Sequence, residues 1–129
     1  MGIFDVFKHK NELSFIQSPN YKGFKKFGLV SYGHKPSEDG LKKLHKKTPD
    51  FDLTGSQIKL VDFVYDGDRH GVAVYVDDLQ VGSYFGNNTN SLTDLVKARK
   101  ITAVFVRVDK IKKIDGETFG ALLFVKSEE

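Results

Sequence analysis

The sequence predicts a mainly β (α+β) fold: a small closed β-barrel of about six strands, flanked by two or three short helices. Short runs of alternating apolar residues recur from residue 24 to residue 125. Two pairs of these runs are separated only by turn residues, at 77–78 and 115–116, which is typical of hairpins. Hairpin-linked strands with few helices favour closure into a barrel, with an open α+β sheet as the alternative.

Residues 2–9 have the apolar spacing of a short amphipathic helix, which would either dock to a partner or pack on the domain. Residues 11–22 have no clear period and are interpreted as a connector. We therefore expect an N-terminal helix with its connector over residues 1–22 and a barrel domain over residues 23–129.

The first predicted strand spans residues 24–32 and is followed by a helix for which Ser37 is the expected N-cap. Leu41 and Leu44 lie three residues apart on its buried side, and Gly40 should keep this helix short. Pro49 ends it.

The second strand covers residues 56–66, with Ile58 and Leu60 facing the core and Phe63 as a further candidate. The remaining strands are predicted at residues 71–76, 79–85, 101–111 and 118–125. The third helix is predicted within residues 87–100, where Ser91 and Asp94 resemble a capping box. Gly82 is expected to allow a bend or a close backbone approach.

The composition excludes several classes of protein. The chain of 129 residues contains no cysteine, so disulfides and cysteine-ligated zinc are ruled out. No apolar run approaches the roughly 18 residues that span a bilayer, and the N-terminus lacks the features of a signal peptide. We therefore expect a cytoplasmic protein.

Charge is unevenly distributed along the chain. Eight lysines lie between residues 22 and 47, eight aspartates between residues 50 and 94, and seven lysines and arginines between residues 97 and 113. Such basic segments can form a phosphate-binding face, although ordinary solubility explains them as well.

No constellation in the sequence indicates catalysis. Asp66, Asp68 and His70 alternate and could share one face of an extended segment, but no second cluster completes a metal site. No serine has a nucleophile-elbow setting, and no glycine-rich loop precedes a helix as in phosphate cradles. We therefore expect no metal, no cofactor and no catalytic residue.

Cations interleaved with aromatic residues suggest instead a surface for single-stranded nucleic acid, which combines a cationic groove with stacking rings. Phe27 and Phe85 are interpreted as core residues, whereas tyrosines suit half-exposed positions. The candidate stacking residues are Tyr32, Tyr65 and Tyr84, and the candidate phosphate contacts are Lys42, Lys43, Lys97, Arg99 and Lys100.

The chain from Phe27 onward resembles the HIRAN domain, a small module of DNA-repair helicases and short bacterial proteins. The resemblance is carried by "GLVSY", the lysine-rich "EDGLKKLHKK", and the hairpin "YDGDRHGVAVYV" with its return "VGSYF". It implies a modified OB-like (or SH3-like) barrel that binds single-stranded DNA and holds a free 3′ end. Asp68 matches the family's aspartate at the hairpin mouth, and Arg69 and His70 follow it in the pocket wall. Gly71 stands at the position of an alanine in the family pattern.

Two other functions remain open. The exposed strands and the N-terminal helix could instead form a protein-interaction module. A hydrolase that uses Asp68 or His70 is the third hypothesis.

Overall fold

The computed structural model describes residues 11–65, 67, 69–85 and 92–128, which form seven strands and two helices. The elements are β1 (Glu12–Ile16), β2 (Lys25–Gly28), α1 (Lys35–Lys47), β3 (Gln57–Tyr65), β4 (Arg69–Val76), β5 (Leu79–Tyr84), α2 (Leu92–Lys97), β6 (Ile101–Lys113) and β7 (Gly116–Ser127). The predicted helix over residues 2–9 lies outside the described residues. Neither described helix is long and apolar enough to cross a bilayer.

The strands form two antiparallel sheets that pack around one apolar core. The larger sheet has the order β1-β3-β4-β5, and the smaller sheet has the order β2-β7-β6. Alternate residues of the central strands, including Leu60, Val74 and Leu123, are fully buried in this core. The mainly β prediction is therefore confirmed, but the sheets do not join into the predicted closed barrel.

Two seams connect the sheets. At the first seam, Val30 and Ser83 form an isolated bridge and exchange backbone hydrogen bonds of 2.7 and 3.0 Å. At the second seam, the Gln17 side chain donates to the carbonyl of Val106 and accepts from its N–H, both at 2.9 Å. The first seam shortens the predicted first strand. β2 ends at Gly28 because the chain then turns toward β5, where Val30 bridges Ser83.

The interpretation of residues 11–22 as a connector is wrong for β1. This strand pairs with β3 along its whole length, with Leu13 opposite Leu60 and Phe15 opposite Ile58. It is a five-residue edge strand in which only Leu13 and Phe15 face the core. This alternation is too short to distinguish the strand from a loop.

Helix α1 begins earlier than predicted. His34 is the N-cap, and Ser37 lies inside the first turn, where its buried Oγ is 2.8 Å from His34 Nδ1. Glu38 accepts a 2.9 Å hydrogen bond from the Gly33 N–H. The prediction of Ser37 as N-cap is therefore wrong.

Gly40 and Gly82 both allow a close approach. A Cβ on Gly40 would lie 1.9 Å from the Gln80 carbonyl oxygen, so this glycine lets α1 rest directly on β5. The expectation of a short helix is wrong, because α1 runs for 13 residues. A Cβ on Gly82 would lie 2.8 Å from Leu29 Cβ, which confirms the close packing predicted there.

The predicted turn at residues 77–78 is confirmed. Asp77 and Asp78 both have positive φ, 48° and 69°, as a type I′ hairpin turn requires. Partial burial would raise the pKa of Asp77, but hydrogen bonds from the Gln57 N–H and the Lys47 ammonium outweigh it and hold that pKa below its usual value. The turn is thereby tied to the end of α1 and the start of β3.

Candidate nucleic-acid interface

The mouth of the β3–β4 hairpin presents different side chains on its two faces. Tyr65 lies directly opposite Arg69, and Phe63 directly opposite Gly71, on the face away from the core. Asp62 and His70 belong to the other face. Asp66 and Asp68, which lie between these strands in the sequence, are outside the described residues.

Three aromatic rings on the outer face form what we call the mouth cluster: Phe63, Tyr65 and Phe85. The Tyr65 and Phe85 ring centroids are 5.0 Å apart and nearly perpendicular, and the Phe63 ring lies 5.8 Å from Tyr65 and 5.7 Å from Phe85. Phe85 is 43% exposed, so its interpretation as a core residue is wrong. The rings form a half-exposed aromatic surface, and Arg69 lies opposite one of them, Tyr65, on the neighbouring strand.

Sequence reasoning missed two members of this cluster, although the alternation contained the signal. If Ile58 and Leu60 face the core, then the inward residue two positions on is Asp62, and Phe63 must face outward. Phe85 follows the end of β5, beside the hairpin mouth, where a core partner is not required.

On the core-facing side, His70 pairs with a buried carboxylate. Its Nδ1 lies 2.9 Å from Asp62 Oδ1, and Asp62 is only 1% exposed. Asn11 contributes a backbone carbonyl that accepts from the Asp62 N–H at 2.8 Å. This pairing accounts for both side chains without a ligand, and sequence reasoning did not identify Asp62 as the partner.

Tyr32 and Lys42 line a different feature. Both border a cavity of about 230 Å³ that also includes Glu38, Glu117 and Phe119. Tyr32 further lines an adjoining apolar cleft of about 360 Å³. The carboxylates make this region a poorer place for a polyanion than the mouth cluster.

The five cations that the sequence predicts as phosphate contacts are all exposed, but they belong to two different helices or their ends. Lys42 and Lys43 lie on α1, which packs on β5, whereas Lys97 and the nearby Arg99 and Lys100 lie at the end of α2, which contacts β3 and β4. Tyr84 is half-buried, and its ring meets Phe27 edge-on at 5.3 Å. The predicted residues are therefore brought together only in part.

A second aromatic group lies on the outer face of the smaller sheet. The Tyr21 ring stacks on Phe124 at 4.2 Å, and the Arg107 guanidinium lies 5.7 Å from the Phe124 centroid. Arg107 donates a 3.2 Å hydrogen bond to the Tyr21 hydroxyl, which raises the pKa of Arg107 above its usual value. Arg107 thus holds Tyr21 against the sheet.

Within the described ranges, no group of three or more histidine, aspartate or glutamate side chains is placed to bind a metal ion. Comparisons with protein-family models, curated proteins and solved structures found no match for this chain.

Proposed function

We propose that this chain is a nucleic-acid-binding module that takes single strands at the mouth cluster and catalyses no reaction by itself. The observation that carries the proposal is the position of Arg69 directly opposite Tyr65, beside the half-exposed Phe85 ring. Stacking rings beside a cation are the combination with which proteins hold single strands irrespective of sequence.

Each part of the mouth cluster has a separate role in this proposal. Phe85 and Tyr65 stack with bases, since Phe85 is 43% exposed and Tyr65 lies at the end of β3, directly opposite Arg69. Arg69 contacts a phosphate, to which its planar guanidinium can donate two hydrogen bonds. Phe63 packs over Gly71 and supports the other two rings from behind.

The resemblance to the HIRAN domain supports the same proposal. The resemblance implies an OB-like barrel, a fold that binds single strands, and the chain is mainly β, with two antiparallel sheets. Single-stranded DNA is accordingly the proposed ligand, with Asp68 accepting a hydrogen bond from a 3′-hydroxyl group. The cytoplasmic location stays a prediction.

The proposal is tested by titrating a fluorescently labelled oligothymidine into the protein at two salt concentrations. Tyr65→Ala and Phe85→Ala should each weaken binding by roughly 5- to 100-fold, the effect of one lost base stack. Arg69→Ala should reduce the salt slope by roughly 0.7, the value for one phosphate contact on a single strand.

Tyr75→Ala is the matched control, because Tyr75 lies on the same face of β4 but away from the mouth. Its cross-strand partner Lys59 is paired with Asp78 at 3.3 Å, and Glu12 borders the same surface. Equal losses for Tyr65→Ala and Tyr75→Ala would contradict the site. A strand ending in 3′-phosphate that binds as well as one ending in 3′-hydroxyl would remove the end pocket at Asp68 and leave the stacking surface standing.

A further inference from the structure

A cleft of about 360 Å³ opens over the outer face of the smaller sheet, above β7. Thr118, Gly120 and Leu122 follow one another along its floor, since alternate residues of a strand share a face. The Ile111 side chain of β6 reaches toward the glycine, and a Cβ on Gly120 would lie 2.5 Å from Ile111 Cδ1. The cleft is therefore a place where the sheet lacks a side chain, and Gly120 determines its depth.

The walls of the cleft are mainly apolar. Residues 28–32, which follow β2, form one wall, and Ile111 contributes to the other. Three of the lining side chains are well exposed: Val30 is 49% exposed, Ile111 46% and Tyr32 64%. Exposed apolar side chains grouped around one concavity mark a binding site, and small-molecule sites have volumes of roughly 300–1,000 Å³. The cleft is thus large enough for the apolar part of a small molecule.

One end of the cleft is negatively charged. A second cavity of about 230 Å³ adjoins it there, and Glu38 and Glu117 border that cavity with a single lysine, Lys42. At the apolar part, by contrast, Asp109 is already paired with a cation, because Arg107 Nε lies 3.1 Å from its Oδ2. Three residues line both cavities and make them continuous: Tyr32, Thr118 and Phe119. A ligand that spans both cavities would therefore need an apolar body and a cationic end.

From these observations we infer that the cleft binds a small amphipathic amine. Its apolar body, an aromatic ring or a short alkyl chain, fills the space over Gly120. Its protonated amino group reaches Glu117 and Glu38 in the second cavity, where carboxylates accept charge-assisted hydrogen bonds from its N–H groups. A primary alkylamine keeps its proton at neutral pH, as a lysine side chain does. An anion would meet the same two carboxylates and be repelled.

This site differs from the mouth cluster in its chemistry as well as in its position. The mouth cluster lies on the larger sheet, at the end of the β3–β4 hairpin, and combines rings with a guanidinium group. The cleft lies on the smaller sheet and combines apolar walls with carboxylates. The inference therefore stands independently of the proposed function.

The probe is phenylbutylamine, titrated to millimolar concentration into the isotope-labelled full-length protein. Amide signals of residues 118–122 should shift, with a Kd on the order of 1 mM, as is typical of so small a ligand. Phenylbutanol and phenylbutyrate have the same apolar body without the positive charge. Each should bind roughly 5- to 10-fold more weakly, because the charge-assisted hydrogen bonds are lost.

Two variants test the two parts of the site separately. Gly120→Leu places a side chain in the cleft and should abolish binding, while the control Lys126→Leu adds the same side chain on the same face of β7, beyond the cleft, and should not. Glu117→Gln should reduce the preference for the amine over the alcohol, whereas Glu128→Gln, at another exposed glutamate, should keep it. Unfolding curves verify that each variant folds, and Glu117→Gln tests the site even if Gly120→Leu does not.

Three results would overturn the inference: no shifts at the cleft amides, equal binding of the amine, the alcohol and the acid, or undiminished binding to folded Gly120→Leu. Broadening of the same amides with protein concentration alone would also overturn it, since a second copy of the chain would then occupy the cleft.

Discussion

Asp62 is a buried carboxylate in a strand whose other inward residues are aliphatic. The Asn11 side-chain amide donates to its Oδ2 at a long 3.5 Å, so the carboxylate depends chiefly on one closer partner. His70 Nδ1 at 2.9 Å supplies that partner, and its imidazole is itself partly exposed. Taking a carboxylate out of water is costly unless it is paired and hydrogen-bonded, so the two side chains act as a unit. This unit fixes the core-facing side of the hairpin mouth, while the rings occupy the other side.

We predict that Asp62→Ala destabilises the fold by about 2–4 kcal/mol, because it leaves the half-buried imidazole unpaired and opens a cavity. Asp62→Asn should cost less, since an amide oxygen can still accept from Nδ1–H. Urea denaturation at neutral pH measures both values. Asp39→Ala, at an exposed ion pair with Lys35, should change stability by less than about 0.5 kcal/mol. An Asp62→Ala midpoint equal to that control would contradict the role assigned to the pair.

Residue by residue, the sequence reveals which positions alternate but not which of two faces is buried. The inward valines of β4 and β6 could be predicted because three β-branched residues recur at every second position. Phe63 could have been placed on the outer face from its alternation with Leu60. Phe85, beyond the end of β5, could not be placed, since an aromatic ring is equally compatible with the core and with an exposed cluster. Tyr65 and Arg69 are the two predicted site residues that lie next to each other, because the register of β3 and β4 places them directly opposite.

At the scale of single elements, α1 shows how packing overrides intrinsic propensity. A glycine inside a helix costs about 1 kcal/mol relative to alanine, and this argument predicts a short helix. The structure resolves the conflict through a tertiary contact: Gly40 faces the backbone of β5, where no side chain fits. Local sequence alone contains no information about that neighbour.

Gly40→Ala should therefore destabilise the protein by about 2 kcal/mol or more, despite the better helix propensity of alanine, because α1 must move away from Gln80. Guanidinium denaturation followed by circular dichroism measures the loss. The exposed Lys43→Ala on the same helix should remain within about 0.5 kcal/mol of the parent chain. A Gly40→Ala variant more stable than the parent would show that α1 does not rest on β5.

At the scale of the whole molecule, the second seam between the sheets depends on a side chain. A continuous barrel would have a ladder of backbone hydrogen bonds between neighbouring strands at this place. Gln17 is buried and takes both backbone groups of Val106, in place of the residue that a continuous barrel would supply. The sequence predicted the described strands other than β1, and most hairpins, since these are local. It could not predict the seams, which depend on single contacts between residues far apart in the chain.

We expect Gln17→Ala to cost about 2–4 kcal/mol, because two buried backbone groups lose their partners. Gln17→Glu should cost at least as much, since its carboxylate would be buried against the Val106 carbonyl, to which it cannot donate. Hydrogen exchange at the Val106 amide should accelerate in parallel with the loss of stability. Gln57→Ala, at an exposed residue at the start of β3, serves as the control. Unchanged exchange at the Val106 amide in Gln17→Ala would mean that the seam does not depend on the Gln17 side chain.

The Phe63 ring can lie on the outer face of the hairpin only because Gly71, directly opposite, has no side chain. A Cβ at position 71 would lie 2.6 Å from the tip of the Phe63 ring and 2.9 Å from the Tyr84 carbonyl oxygen. A chain with alanine at this position would have to move Phe63 aside, and the neighbouring rings would lose their support. In descendants of this sequence, a side chain at position 71 therefore requires both a smaller residue at position 63 and a shift of the Tyr84 backbone.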